Sequence, residues 1–315
     1  MVAFGRPFFW GVRGVFLSLI AERLRLLPAK SGEGRSVNVR EDMEKFIVAD
    51  STALRISDRG KQGPAVVLLH GYLESLDVWS DFTALLSPHF RVVAIDIPGH
   101  GISQVKGEVH TMEFVADVLK GVLDKLGIER CFVVGHSMGG YVAEAFAAAY
   151  PERLLGLVLF HSTPNPDTEE KKEGRRREIE LIRAGKKETI AALFAPKGFA
   201  EVNRKRLREQ IAQQEELICM CEDEVIVALW GGLIRRRYQN EMLRKLAVPQ
   251  LFIFGRMDGF IPVEAAGAII AVQPQAEVAW LENSGHMGFI EEPERSAEIL
   301  TAFFNRVVSR NGGTE

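Results

Sequence analysis

Cysteine is scarce. The 315 residues hold three, two of them the close pair Cys219 and Cys221, too few for a disulfide framework and without the further ligands of a structural zinc site. A reducing cytoplasm is the compartment that such usage favours. The pair lies two residues apart in a helical-looking stretch, so its side chains diverge, and both are expected as buried thiols rather than metal or redox groups. An excess of one charge sign is also missing. Lys and Arg number 39 against 42 Asp and Glu, a net charge of -3 with a pI of about 6.2. No global field therefore gathers nucleic acid or an anionic membrane. There is no fixed-period repeat and no low-complexity segment. With 47% hydrophobic residues the chain can bury a full core, and disorder of the whole is excluded.

A long uncharged apolar run is absent too. Residues 4–27 are apolar and aromatic, but Arg6, Arg13, Glu22, Arg23 and Arg25 interrupt them, whereas a spanning helix needs about 20 nearly uncharged residues. Stable membrane insertion is not expected, and Leu27-Pro28-Ala29-Lys30 makes a poor signal-peptide cleavage site. Residues 31–42 are polar, and a first strand-like run, Lys45 to Val48, follows Met43. The expectation is that Met43 is the natural start and residues 1–42 are an extension outside the native protein. A peripheral membrane anchor is the other reading.

From there the chain alternates short β-branched apolar runs with longer helical patterns, the signature of βα units winding a mostly parallel sheet with helices on both faces. Ala65 to Leu69, Arg91 to Ile95, Cys131 to Gly135, Leu154 to Phe160, Gln250 to Phe254 and Glu277 to Leu281 read as strands. Trp79 to Leu86, Thr111 to Leu126, Gly139 to Tyr150, Val263 to Val272 and Glu294 to Val307 read as helices, with Gly127 placed to end the second. Between Pro164 and Met242 the rhythm changes. No β-branched strand appears there, and basic triplets such as Arg175-Arg176-Arg177 alternate with acids, as solvated helix faces do. The expected organisation is an α/β core over residues 43–163 and 243–309, a helical insertion over 164–242, and a tail over 310–315.

The chemistry starts at Gly135-His136-Ser137-Met138-Gly139, a G-x-S-x-G between an apolar strand and an Ala-rich helix. A serine on that sharp turn occupies strained backbone and stands above the sheet, and the glycines spare a collision of strand with helix. A hydroxyl is a poor nucleophile until a base oriented by a carboxylate takes its proton. The motif resembles the nucleophile turn of α/β-hydrolases, and that resemblance implies that the acid and then the histidine follow the serine in the chain. His286 is the only histidine after His161 and sits in a loop just past the strand ending at Leu281. Asp258 follows the strand ending at Phe254 and is preferred over Asp167 and Glu282. An oxyanion needs two backbone N–H donors. The Met138 amide is one, and the Tyr72 amide, on a loop turned by Gly71, is the other. His70 reads as a structural turn residue.

His70-Gly71, Asp96-Ile97-Pro98-Gly99-His100-Gly101, Gly135 to Gly140, the Asp258 loop and Gly285-His286 together resemble the successive signatures of the α/β-hydrolase superfamily over about residues 46–307. The nearest look-alikes are capped bacterial carboxylesterases, carbon–carbon bond hydrolases and serine-dependent perhydrolases. The resemblance implies a nucleophile elbow, a catalytic triad, an oxyanion hole, a mostly structural His100, and a helical lid over residues 164–242. It also implies a pocket lined by Gly71, Tyr72, Met138, Trp230 and Phe260, although Trp230 serves equally as lid core. No metal or organic cofactor is implied, and the partner is a small-molecule acyl substrate. Ring-cleavage hydrolases often carry an arginine directly after the acid, where this chain has Gly259, which favours ester hydrolysis over carbon–carbon cleavage. Ser137 argues against dehalogenases and epoxide hydrolases, whose nucleophile is aspartate. From another class, a non-catalytic ligand receptor on the same fold is the alternative.

Overall fold

The computed structural model describes residues 44–104 and 107–312; the readings made on residues 1–42 and on Met43 lie outside them. Eight strands form one sheet in the order β1-β2-β4-β3-β5-β6-β7-β8. They are β1 (Glu44–Ala49), β2 (Thr52–Arg59), β3 (Ala65–Leu69), β4 (Arg91–Ile95), β5 (Cys131–His136), β6 (Leu154–Phe160), β7 (Gln250–Gly255) and β8 (Glu277–Leu281). β1 pairs with β2, and β2 with β4, antiparallel; every other neighbouring pair is parallel. All residues of β3 and β5 are buried, as strands with both faces covered must be.

The helices that cover the sheet are α1 (Ser80–Leu86), α2 (Met112–Lys125), α3 (Met138–Ala149), α9 (Val263–Val272), α10 (Gly288–Glu291) and α11 (Pro293–Gly312), with α4 (Glu169–Arg183), α5 (Lys187–Lys197), α6 (Arg208–Met220), α7 (Asp223–Ile234) and α8 (Asn240–Lys245) between β6 and β7. Successive residues of a strand face opposite ways, so β5 reports on both sides. Phe132 packs on Phe303 and Phe304 of α11, whereas Gly135, of opposite parity, lies against Gly139 and Gly140 of α3. α2 starts where the Thr111 hydroxyl caps the Phe114 amide at 3.1 Å and stops at Gly127, whose φ of +64° favours glycine.

The sequence expectations differ from this picture in five places. β2 was missing from them, and Trp79 closes a 3₁₀ turn, Leu76–Trp79, ahead of α1. α11 runs on to Gly312, into the segment expected as a tail, because its apolar spacing continues through Val307. The 242 boundary falls inside α8. Cys219 and Cys221 are half-buried rather than buried, since Cys219 lies in the last turn of α6 and Cys221 caps that helix. Among the described residues no helix is long and apolar enough to cross a membrane.

Candidate active site

Ser137 sits between the end of β5 and the start of α3 with φ +48° and ψ -113°, a region L-residues rarely enter. The turn is held by what glycine lacks. A Cβ on Gly135 would lie 2.3 Å from the Gly139 carbonyl oxygen, and one on Gly139 would lie 2.3 Å from that of Leu69. The Ser137 amide donates to Phe160 at 3.0 Å, and the Ser162 hydroxyl donates to the Ser137 carbonyl at 2.7 Å, so β6 braces the turn. Met138 opens α3, and its amide is among the first-turn donors that a helix leaves without an internal acceptor.

Asp258 and His286 come from the loops after β7 and β8 and meet directly. His286 Nδ1 lies 2.8 Å from Asp258 Oδ2, while Asp258 Oδ1 accepts the amides of Phe260 at 2.7 Å and Ile261 at 3.0 Å. Burial pushes the Asp258 carboxyl up, but His286 and His161 outweigh it and hold the group well below the usual carboxylate range. The competing acids point elsewhere. Asp167 is bound by Arg175 and Arg236, and Glu282 by Arg256. The His286 loop is itself pinned. Glu291 Oε1 accepts the Gly285 and Met287 amides at 2.8 and 3.3 Å, and the His286 amide donates to Gly198, the cap of α5, at 2.7 Å.

His161 was missed by sequence reasoning. It follows β6 with φ +48°, is fully buried, and its Nδ1 lies 3.3 Å from Asp258 Oδ2. Its Nε2 accepts the Gly288 amide at 3.3 Å, so the neutral ring keeps its hydrogen on Nδ1, facing the carboxylate. Burial, only partly opposed by Asp258, lowers the His161 pKa to about 4, which fits that neutral state. His161, Asp258 and His286 bring ligand-type atoms within 4.8 Å of one another, a spacing open to a metal ion. Two imidazole N–H groups facing one carboxylate account for the cluster equally. The available signal was positional: His161 directly follows an apolar strand that neighbours β5 and β7.

The Gly71–Tyr72 loop is also fixed. The Gly71 amide donates to Glu74 Oε2 at 2.6 Å. His70, fully buried, donates from Nδ1 to the Gly71 carbonyl at 2.8 Å and accepts the Ile97 amide at Nε2 at 3.0 Å, a structural arrangement, as expected. Of the residues expected to line a pocket, Phe260, Tyr72 and Trp230 belong, together with Phe194, to a chain of rings leading away from His286. Phe260 stands 4.9 Å from the His286 ring, Phe194 is 5.0 Å from Phe260, Tyr72 is 6.1 Å from Phe194, and Trp230 is 5.7 Å from Tyr72. Met138 and Trp230 are each 1% exposed, so Trp230 is both a core residue of α7 and a neighbour of Tyr72. Phe194, unnoticed in the sequence, completes the series.

A family model described as the alpha/beta hydrolase fold matches residues 64–180. The chain is 31% identical over 277 residues to a 2-hydroxy-6-oxononadienedioate/2-hydroxy-6-oxononatrienedioate hydrolase of Paraburkholderia phymatum, covering 82% of this chain and 94% of that protein. It is 28% identical to a pimeloyl-[acyl-carrier protein] methyl ester esterase of Aeromonas hydrophila, over 78% of this chain and 97% of that one. Among solved structures, a thermophilic esterase from Thermogutta terrifontis superposes with a TM-score of 0.79 at 32% identity, covering 84% of this chain and 98% of the other.

Proposed function

This chain belongs to the α/β-hydrolase family and is a hydrolase, and from that premise we propose that it cleaves a small or medium carboxylic ester by acyl transfer through Ser137, His286 and Asp258. The observation that carries the reading is the buried Asp258–His286 hydrogen bond on the two sheet loops next to the strained Ser137 turn. His286 takes the Ser137 proton as Oγ attacks the carbonyl. The Met138 and Tyr72 amides stabilise the oxyanion, a contribution of about 3 kcal/mol per donor. His286 then protonates the leaving alcohol, and water repeats the cycle on the acyl-enzyme. Asp258 stays ionised and fixes the imidazole tautomer.

In this reading helices α4 to α8 are a lid, and the rings of Phe260, Phe194, Tyr72 and Trp230 line the acyl side of an enclosed, water-poor pocket with Gly71 and Met138. The three cysteines form no disulfide, which supports assignment to the cytoplasm. The relative from Paraburkholderia supports a second reading, cleavage of a carbon–carbon bond in a ring-cleavage diketone. The test is labelling with a fluorophosphonate and mass mapping, followed by p-nitrophenyl acetate and butyrate turnover by wild type and Ser137→Ala. Label on Ser137 and loss of turnover in the variant are expected. Label elsewhere, or a fully active Ser137→Ala, refutes the reading. Ser137-dependent turnover of a vinylogous diketone but of no ester selects the carbon–carbon reading.

A further inference from the structure

One buried carboxylate and one buried imidazole next to the Ser137 turn have no part in these acyl-transfer steps. Glu74 is 7% exposed and His136 is fully buried. Glu74 Oε2, which accepts the Gly71 amide, lies 3.0 Å from His136 Nδ1, and His136 Nε2 lies 2.9 Å from the His286 carbonyl oxygen. One imidazole therefore touches the loop that carries Tyr72, immediately precedes Ser137, and holds the main chain of His286. Phe289 and Trp79 stand edge-on to its ring at 4.9 and 6.3 Å, so water does not offer a substitute partner. A Cβ on Gly71 would lie 2.9 Å from both His136 Nδ1 and Glu74 Oε1.

The protons can be counted from these partners. A carbonyl oxygen only accepts, so Nε2 carries a hydrogen. A bare Nδ1 facing a carboxylate would set two lone pairs against each other, so a second proton lies between them. Burial alone would put that proton on Glu74. Glu74 Oε2 already accepts the Gly71 amide at 2.6 Å, the role of a carboxylate oxygen rather than of a hydroxyl, which places the proton on the ring side; in keeping with this, His136, with His70 and the Gly71 amide, outweighs burial and holds the Glu74 carboxyl below its usual value. We infer that Glu74 and His136 form a buried imidazolium–carboxylate strut that positions the Gly71–Tyr72 amides and the His286 main chain relative to Ser137. Both are positioning residues. The kinetic half of this inference rests on the proposed hydrolase reading, and the spectroscopic half does not.

The test uses the full chain with ¹⁵N-labelled histidine. Two-bond ¹⁵N–¹H spectra at neutral pH are expected to show His136 with both ring nitrogens protonated, and Glu74→Ala is expected to leave Nδ1 bare, because the carboxylate that holds its proton is gone. In p-nitrophenyl butyrate turnover, Glu74→Ala and His136→Ala each lose roughly 30-fold to 100-fold in kcat, the scale of about a 1 Å misplacement, with KM within about twofold. The double variant loses no more than the worse single one, as groups acting as a unit do. Glu74→Gln, which still accepts the Gly71 amide, recovers most of the rate. Circular dichroism checks that each variant folds. A singly protonated His136 in wild type, an unchanged kcat in a folded Glu74→Ala, or additive losses in the double variant overturns the strut. A fully active Ser137→Ala overturns the hydrolase reading instead and leaves the His136 spectrum as it is.

Discussion

Asp258→Asn is the sharpest perturbation available, because it keeps the side chain's shape while removing its charge and reversing one atom's hydrogen-bonding sense. The amide oxygen can take the place of Oδ1 and keep the amides of Phe260 and Ile261. The NH₂ group then replaces Oδ2 and presents hydrogens to His286 Nδ1, 2.8 Å away, and to His161 Nδ1, 3.3 Å away. His286 can answer only by moving its hydrogen to Nε2, where it can no longer take the Ser137 proton. The wrong tautomer should lower kcat by about 10³-fold to 10⁴-fold, or about 4 to 5.5 kcal/mol of barrier, with KM nearly unchanged. Stability should fall as well, by about 2 kcal/mol at pH 7, the worth of a charge-assisted hydrogen bond. The sign with pH follows from the direction of the shift. Asp258 is held below its unfolded value, so its stabilisation is present above about pH 4 and is lost as the pH falls further. The gap between wild type and variant should therefore begin to narrow below about pH 4. p-Nitrophenyl butyrate kinetics and urea denaturation at pH 7 and pH 3.5 measure both effects. A kcat within tenfold of wild type, in a variant that folds, would refute the assignment of Asp258.

Three further outcomes follow from the same geometry. His161→Phe keeps the ring volume but removes the Nδ1 contact to Asp258 and the acceptor of the Gly288 amide; kcat should fall about tenfold, from one lost orienting contact of about 1.4 kcal/mol, and an unchanged kcat in a folded variant would sink the orienting role. Glu144 is fully buried with both carboxylate oxygens unpartnered, and burial, partly opposed by Arg236, pushes its pKa to about 8. The folded state thus holds a proton that the unfolded chain has released, so wild-type stability should drop as pH rises from about 4.5 to 8. Glu144→Gln should remove that slope and gain up to about 4 kcal/mol at pH 8, read by denaturation at pH 5.5 and 8.5; an unaltered slope would contradict it. Arg55 in β2 is held by Asp77 and Glu44 with Asp96 behind, so Arg55→Met should cost about 3 kcal/mol or more by stranding the buried Asp96 carboxyl, and a melting temperature within about 2 °C of wild type would argue otherwise.

The parallel strands were legible because they are buried on both faces and therefore read as unbroken apolar runs, as Val66 to Leu69 and Phe132 to Val134 do. β2 was not, and the reason is physical. Its Arg55 is 5% exposed, a burial possible only because Asp77, 22 positions on, and Glu44 supply bidentate and single contacts. Periodicity counts an arginine as solvent-facing, and no local signal announces a counter-ion on another element. The β1–β2 turn was similarly hidden: Asp50 and Ser51 both adopt positive φ without the glycine that usually marks a hairpin.

The same division runs through the candidate site. Ser137, Asp258 and His286 stood out because each sits in a short local context, a strand followed by a turn, that can be recognised one segment at a time. His161, Glu74 and His136 did not, because what they do is defined by partners 97, 62 and 150 residues away. Their letters alone are ordinary. A histidine after a strand is a common loop residue until a carboxylate from the neighbouring loop arrives beside it, and a glutamate in a turn is a surface group until an imidazole closes over it. The residues that could be read are those that carry out the proposed chemistry, while those that hold it in place become visible only once the sheet order β5-β6-β7-β8 has brought four loops to one edge. Substrate choice should be harder still to read from sequence, since the ring series ending at Trp230 joins α5, α7 and two core loops, and no single segment encodes its shape.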